Sequence, residues 1–299
     1  MISNLMMFLN SKHIGTLEEK LAFTKENIDQ ADARYDLVRH MVLNSLRMYR
    51  KKFSKEYGEL ILCSDGRKYW RKDKFPYYKA SRKTSRQESE FDWGCIFDCM
   101  NQIKAELIEV FPYKLIELMT AEADDVIAII VKQQNEEFGN FEKTLIISAD
   151  KDFTQLHKYN GVVQYNPIQK KFISEKIHPS EILHRLIMSG DRSDGIPNMM
   201  SSDDTFVTGK RQTPLSKKKQ KEWGDFFPKD FCKAELCNET QLRNYKRNQM
   251  LIDFDFIPTE VEEAIIAEYE KPIQGNRAKI LDYFIEKGLR DLTDSIGDF

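Results

Sequence analysis

Two short aliphatic runs that end in aspartate constrain the fold of this chain more than any other feature. Leu60-Ile61-Leu62-Cys63-Ser64 leads to Asp65, and Leu145-Ile146-Ile147-Ser148-Ala149 leads to Asp150. Runs without polar alternation suit strands buried on both faces, as in a parallel sheet. In open α/β sheets, ligands bind beyond the carboxyl ends of the strands. Acids delivered there from several strands converge in one cleft. Further acids follow at other element boundaries: Glu122-Ala123-Asp124-Asp125, Asp152, and the pair Asp191 and Asp194. Carboxylates that close raise one another's pKa. Divalent cations remove that conflict, and oxygen-only donors suit Mg2+, with Mn2+ able to substitute. The candidate metal ligands are therefore Asp65, Glu122, Asp124, Asp150, Asp152, Asp191 and Asp194.

The spacing places these acids on an alternating pattern. A helix is expected over 30–52, a strand at 60–64 and a polar, basic and aromatic loop or arch over 66–90. A helix at about 92–110, a strand at 113–119 and a helix at 122–134 come next. The first turn of that last helix holds Glu122, Asp124 and Asp125, where acids also suit the helix dipole. A strand at 144–148 delivers Asp150 and Asp152, and a helix should begin at Thr154 to His157. A short hairpin is expected around Asn166-Pro167, and a helix at 179–189. Gly190-Asp191-Arg192-Ser193-Asp194-Gly195-Ile196-Pro197 is a turn dense in Gly, Pro and Asp. Residues 199–222 read as disorder or a flexible loop, and 223–299 as mainly helical. The fold class is α/β with a mostly parallel sheet and a C-terminal helical region. Two domains are expected, 1–180 and 181–299.

The net charge of the 299 residues is only −2, so the whole molecule carries no nucleic-acid signature. The distribution does. Arg67 to Arg86 contains nine cations and one acid, Asp73, and a second basic cluster spans Lys210, Arg211 and Lys217 to Lys221. From Tyr69 to Lys83 aromatics alternate with cations, a pattern that suits stacked bases and neutralised phosphates. Arg71, Tyr78, Lys79, Arg82, Lys83, Lys210 and Arg211 are the candidate nucleic-acid contacts. Asp150 and Asp152 together can touch two cations roughly 3.5–4 Å apart, the spacing of two-metal phosphoryl transfer. Asp191 and Asp194 on their own fit ordinary turn residues as well as ligands. His157 is read as structural and Trp223 as core.

The five cysteines, Cys63, Cys95, Cys99, Cys232 and Cys237, form no C-x-x-C pair, so free thiols in a reducing cytoplasm are expected. The opening Met1 to Leu9 lacks a basic leader and a cleavage site, and no run is long enough to span a membrane.

The order Ser64-Asp65-Gly66, Tyr78-Lys79-Ala80-Ser81-Arg82, Glu122-Ala123-Asp124-Asp125, Ser148 to Leu156 and Gly190 to Pro197 resembles the 5′-nuclease (flap endonuclease) superfamily, nearest its phage ribonuclease H branch. The resemblance runs from about residue 36 to the end. It implies a PIN-like α/β domain with a helical arch and a C-terminal helical DNA-binding region. It implies a magnesium-dependent 5′→3′ exonuclease and flap endonuclease with ribonuclease H activity, removing RNA primers from lagging-strand fragments. Asp65, Asp124 and Asp150, with Glu122 nearby, would form a first metal site, and Asp152, Asp191 and Asp194 a second. Asp150, Lys79 and Arg82 would be catalytic. Implied partners are DNA and RNA–DNA duplexes with 5′ ends or flaps, a single-stranded-DNA-binding protein and a sliding clamp, with the enzyme a monomer in the host-cell cytoplasm. The family begins with a strand ending in a further metal-binding Asp, ahead of a segment like Ile2-Ser3-Asn4-Leu5. No such strand precedes Met1, which points to a start placed too late. The alternative expectation is a catalytically impaired flap- or junction-binding protein.

Overall fold

The computed structural model describes residues 31–139, 142–224, 226, 228–231 and 236–299. The expectations about the chain start and the thiol of Cys232 lie outside the described residues. In chain order the elements are α1 (Ala31–Tyr57), β1 (Ile61–Ser64), α2 (Trp70–Lys74), α3 (Ser81–Glu88), α4 (Trp93–Val110), β2 (Lys114–Glu117), α5 (Ala123–Phe138), β3 (Thr144–Ile147), β4 (Val162–Asn166), β5 (Lys171–Ile173), α6 (Pro179–Ser189), α7 (Lys217–Gly224), α8 (Pro228–Phe231), α9 (Glu239–Ile252), α10 (Thr259–Glu270), α11 (Ile280–Glu286) and α12 (Arg290–Thr293). Short 3-10 stretches intervene, among them Lys151–Lys158.

The chain divides into two compact units that interleave in sequence. Among the described residues, one comprises those of 31–62, 84–115 and 271–299; the other comprises those of 63–83 and 116–270. In the first, α1, the helix expected over 30–52, buries Val38, Val42, Leu43 and Leu46. These pack with Ile96, Ile103 and Leu107 of α4, and with Phe111, Phe284 and Phe299. One charged group is drawn into this core. Arg39 donates from Nε and Nη2 to Glu106 at 2.9 Å each, and the Tyr283 hydroxyl donates to the same carboxylate at 2.7 Å. Burial opposes the charge on Glu106, but these bonds together outweigh it and hold the carboxyl below its ordinary range.

In the second unit the parallel sheet is small. β3 pairs with β4 in parallel, Thr144 opposite Val162 and Ile147 opposite Tyr165. β4 and β5 form the expected hairpin, antiparallel, with Asn166 opposite Lys171. One core cluster gathers Ile116, Val126, Ile129, Ile146, Phe153 and Ile265; another gathers Leu183, Ile187, Met199, Trp223, Phe231 and Tyr245.

Of the loop or arch expected over 66–90, the segment carries two helices, α2 and α3. Two local expectations are corrected. The helix expected from Thr154 is 3-10 and begins at Lys151, where Asp150 caps it by accepting the Asp152 N–H at 3.0 Å. The segment 199–222 is built into the structure. Met199 and Ser201 are buried, and Asn244 donates to both of their carbonyls at 3.1 and 3.0 Å. Its end is helical, as α7. No helix among the described residues is long and apolar enough to cross a membrane.

Candidate active site

All seven candidate metal ligands belong to the second unit. β1 ends at Ser64, and Asp65 stands next on an exposed turn. The turn is set by Gly66, whose N–H donates to Ala121 O at 2.8 Å. A Cβ at position 66 would lie 1.8 Å from Leu118 O, so only glycine allows this approach. The fit brings Asp65 Oδ1 to the Ala123 N–H at 2.9 Å, at the start of α5.

The first turn of α5 directs its acids to different tasks. Successive helical side chains diverge by about 100°. Asp125 is fully buried and turned inward; its Oδ2 accepts from Trp70 Nε1 at 3.2 Å, Arg71 Nη1 at 2.9 Å and the Glu122 N–H at 3.0 Å. Asp124 is half-buried and faces the other acids. Burial pushes its carboxyl up to about 8, helped by the charges of Asp150, Asp65 and Glu122 and opposed by Lys79. Glu122 is buried and lies within hydrogen-bond distance of Arg71 Nη1 (2.9 Å) and the Tyr78 hydroxyl (2.8 Å), and it also binds Lys79 Nζ.

β3 delivers Asp150 as expected. Its backbone is held by Gln164, a fully buried residue of β4 whose Nε2 donates to Ser148 O at 2.9 Å and to Asp150 O at 2.7 Å. Sequence reasoning missed Gln164. Its signal was a lone amide inside Val162-Val163-Gln164-Tyr165. Asp152 follows; burial pushes its carboxyl up to about 7, helped by Asp150, Asp191 and Asp194 and opposed by Lys151.

Asp191 and Asp194 sit on a tight turn closed by Ile196 N–H to Asp191 O at 2.7 Å. Asp191 Oδ1 accepts from the Ser193 N–H and hydroxyl at 2.7 and 2.6 Å, and Oδ2 pairs with Lys151 at 3.1 Å. Burial works against this carboxylate, but those partners hold it below its ordinary range. Asp194 meets Arg82 Nη2 at 2.7 Å, the Tyr78 hydroxyl at 2.9 Å and Lys79 Nζ at 3.5 Å. The Lys79 N–H donates to Asp194 O at 2.7 Å, and Lys79 has a φ of 54°, a left-handed conformation that costs of order 1 kcal/mol. Behind the turn, Asn248 and Arg247 of α9 donate to Pro197 O at 2.9 and 2.8 Å.

The acids thus form two groups that overlap at Asp150. Asp124 feels Asp150, Asp65 and Glu122, while Asp152 feels Asp150, Asp191 and Asp194. The donors are hard oxygens, and the carboxyls of Asp124 and Asp152 are raised first by burial and then by the neighbouring acids. Both properties fit divalent cations. Among the described residues no three His, Cys, Asp or Glu side chains converge on one metal-sized position. Lys79, Arg82 and Lys151 stand among the acids as counterions instead.

The expected nucleic-acid contacts separate into three placements. Arg71 and Tyr78 are corrected: both are about 3% exposed, because their partners Glu122, Asp125 and Asp194 draw them inward. Lys79 and Arg82 lie at the carboxylates, with 9% and 41% of their side chains exposed. Lys83, Lys210 and Arg211 are exposed, Lys210 pairing with Asp204 at 2.8 Å.

The profile described as the N-terminal resolvase-like domain of 5′-3′ exonucleases matches residues 22–186, and that of the C-terminal part of T4 RNase H matches 179–299. Ribonuclease H of Enterobacteria phage T4 is 38% identical over 279 residues, spanning 91% of this chain and 89% of that protein. The zinc-bound T5 5′-exonuclease superimposes with a TM-score of 0.56 at 16% identity, over 82% of this chain and 93% of that one. A variant T5 flap endonuclease in complex with DNA and metal ions gives 0.53 at 15% identity, over 83% and 89%. At such identities these structures speak to the fold, which is the resolvase-like 5′-nuclease fold. The chain belongs to the 5′-3′ exonuclease family and is a nuclease related to T4 ribonuclease H.

Proposed function

We propose that this chain is a magnesium-dependent 5′→3′ exonuclease and flap endonuclease with ribonuclease H activity, which removes RNA primers during phage DNA replication in the host cytoplasm. The observation that carries this reading is that Lys79 and Arg82 are held against Glu122 and Asp194, in the same unit whose strand and helix ends carry Asp65, Asp124 and Asp150. Asp65, Asp124 and Asp150, with Glu122 beside them, would hold one Mg2+; Asp152, Asp191 and Asp194 would hold the second. Bound there, the ions would supply a water nucleophile and offset charge on the phosphodiester. The chain's own contribution is positional and electrostatic. Lys79 is anchored between Glu122 and Asp194, so its ammonium is fixed where a scissile phosphate would bring negative charge. Arg82 spends one nitrogen on Asp194 and remains partly exposed, which leaves its fork able to grip an adjacent phosphate. Partners would be DNA and RNA–DNA duplexes with 5′ ends or flaps, a single-stranded-DNA-binding protein and a sliding clamp, the enzyme itself being monomeric.

The test is cleavage of a 5′-flap DNA and an RNA–DNA duplex with Mg2+ by the unmodified chain and by Asp150→Asn. Loss of cleavage with duplex binding retained is expected, and wild-type rates in the variant would remove Asp150 from the chemistry. A second reading is a junction-binding protein that does not cut. It is favoured by the lack of three converging carboxylates among the described residues. Tight flap binding without turnover by the unmodified chain at saturating Mg2+ would establish it.

A further inference from the structure

Arg71 stands in the basic stretch but makes no use of solvent. Its guanidinium is buried against Asp125, with Nη2 to Oδ1 at 2.7 Å and Nη1 to Oδ2 at 2.9 Å. Nη1 also reaches Glu122 Oε2 at 2.9 Å, and Nε donates to Leu251 O, near the end of α9, at 2.8 Å. The indole of Trp70 covers one face, 4.6 Å from the guanidinium, and adds a donor to Asp125. One side chain therefore ties together α2, the first turn of α5 and the end of α9.

Such a pair is a poor device for stability alone. Removing two charges from water costs several kcal/mol per ion, and replacing a buried pair with apolar side chains of similar volume is often neutral or stabilising. What apolar residues cannot do is fix a carboxylate's orientation. Arg71 and Tyr78 meet Glu122 on Oε2 while Lys79 takes Oε1, so both oxygens of Glu122 are directed. Asp125 holds the Glu122 N–H, which fixes the turn from which Asp124 projects. Asp125 itself has no part in holding a cation, because its oxygens already accept four bonds.

We infer that Arg71 and Asp125 are positioning residues: a buried pair that sets the orientation of Glu122 and Asp124 for divalent-cation binding and links that orientation to α9. The inference rests on the metal-dependent reading above. Partners that orient metal ligands are typically worth 10–100-fold in metal affinity or activity.

The test uses the full chain and Mn2+ as the probe. Mn2+ affinity is measured by calorimetry without nucleic acid, alongside kcat and KM on a 5′-flap DNA and the thermal midpoint. The double variant Arg71→Met, Asp125→Leu removes both charges at similar volume. It should fold with a lowered thermal midpoint, since Leu251 O, Trp70 Nε1 and the Glu122 N–H lose these partners, bind Mn2+ at least tenfold more weakly and lose kcat without a matching rise in KM. Arg71→Lys keeps the charge but loses the fork, and covers the case in which the double variant fails to fold. It too should weaken Mn2+ at least tenfold. Wild-type Mn2+ affinity in a folded variant of either kind overturns the inference while leaving the metal-dependent reading intact. Absence of Mn2+ binding by the unmodified chain overturns that reading, and the inference falls with it.

Discussion

Gln164→Leu removes one buried amide that holds the strand end carrying Asp150. The amide nitrogen donates to Ser148 O at 2.9 Å and Asp150 O at 2.7 Å, and the residue is fully buried. Each bond contributes a net of about 1 kcal/mol, so their loss costs about 2 kcal/mol, with leucine filling most of the space. For a chain of this size, with a urea slope of roughly 3 kcal/mol per molar, that is a fall in midpoint of about 0.7 M. The effect on chemistry should be larger. Released from Gln164, the backbone at Asp150 can relax, and a displacement of about 1 Å at a catalytic group can cost on the order of 100-fold. Urea titration and single-turnover flap cleavage, both at fixed Mg2+, measure the two effects on the same preparation. A midpoint that falls as stated while cleavage stays within twofold of wild type would refute the reasoning, since Asp150 would then be held by other means.

Two further substitutions probe separate devices. Gly66→Ala forces a Cβ to 1.8 Å from Leu118 O, and backbone on both sides must give way; destabilisation of about 3 kcal/mol and loss of flap cleavage are expected, read by urea titration and gel assay. Glu106 has a folded pKa held below its unfolded value, so its contribution to stability is complete above roughly pH 4.3 and is lost as pH falls through the folded value. Glu106→Gln should therefore lower the thermal midpoint at pH 7 and flatten its decline between pH 5 and about 3; an unchanged acid limb would exclude the carboxylate as its cause.

The strands and the acids that follow them were legible because both signals are local. An aliphatic run specifies β1 or β3, and the next polar residue marks its end. The same holds for the acidic first turn of α5 and for the hairpin at Asn166-Pro167. What escaped was decided by distant partners. The stretch from Tyr69 to Lys83 reads as a solvated basic segment, yet Arg71 finds Asp125 54 residues away and Tyr78 finds Asp194 116 residues away. Nothing near residues 199–216 predicts that Asn244 and Arg247 will fasten that segment from α9. Gln164 gave a local signal, an amide within an apolar strand, but its meaning depends on the strand beside it. The division into two interleaved units is equally non-local, since each is assembled from separated pieces of chain.

The hydrogen bond from Arg71 to Leu251 spans 180 residues. A nascent polypeptide emerging from the ribosome makes Asp65, Glu122 and Asp150 early, but the Arg71 guanidinium has its last acceptor only once α9 has been synthesised. Closures of this range are slow to form. A fragment that stops short of α9 carries all seven candidate carboxylates and lacks the Leu251 carbonyl that Arg71 binds.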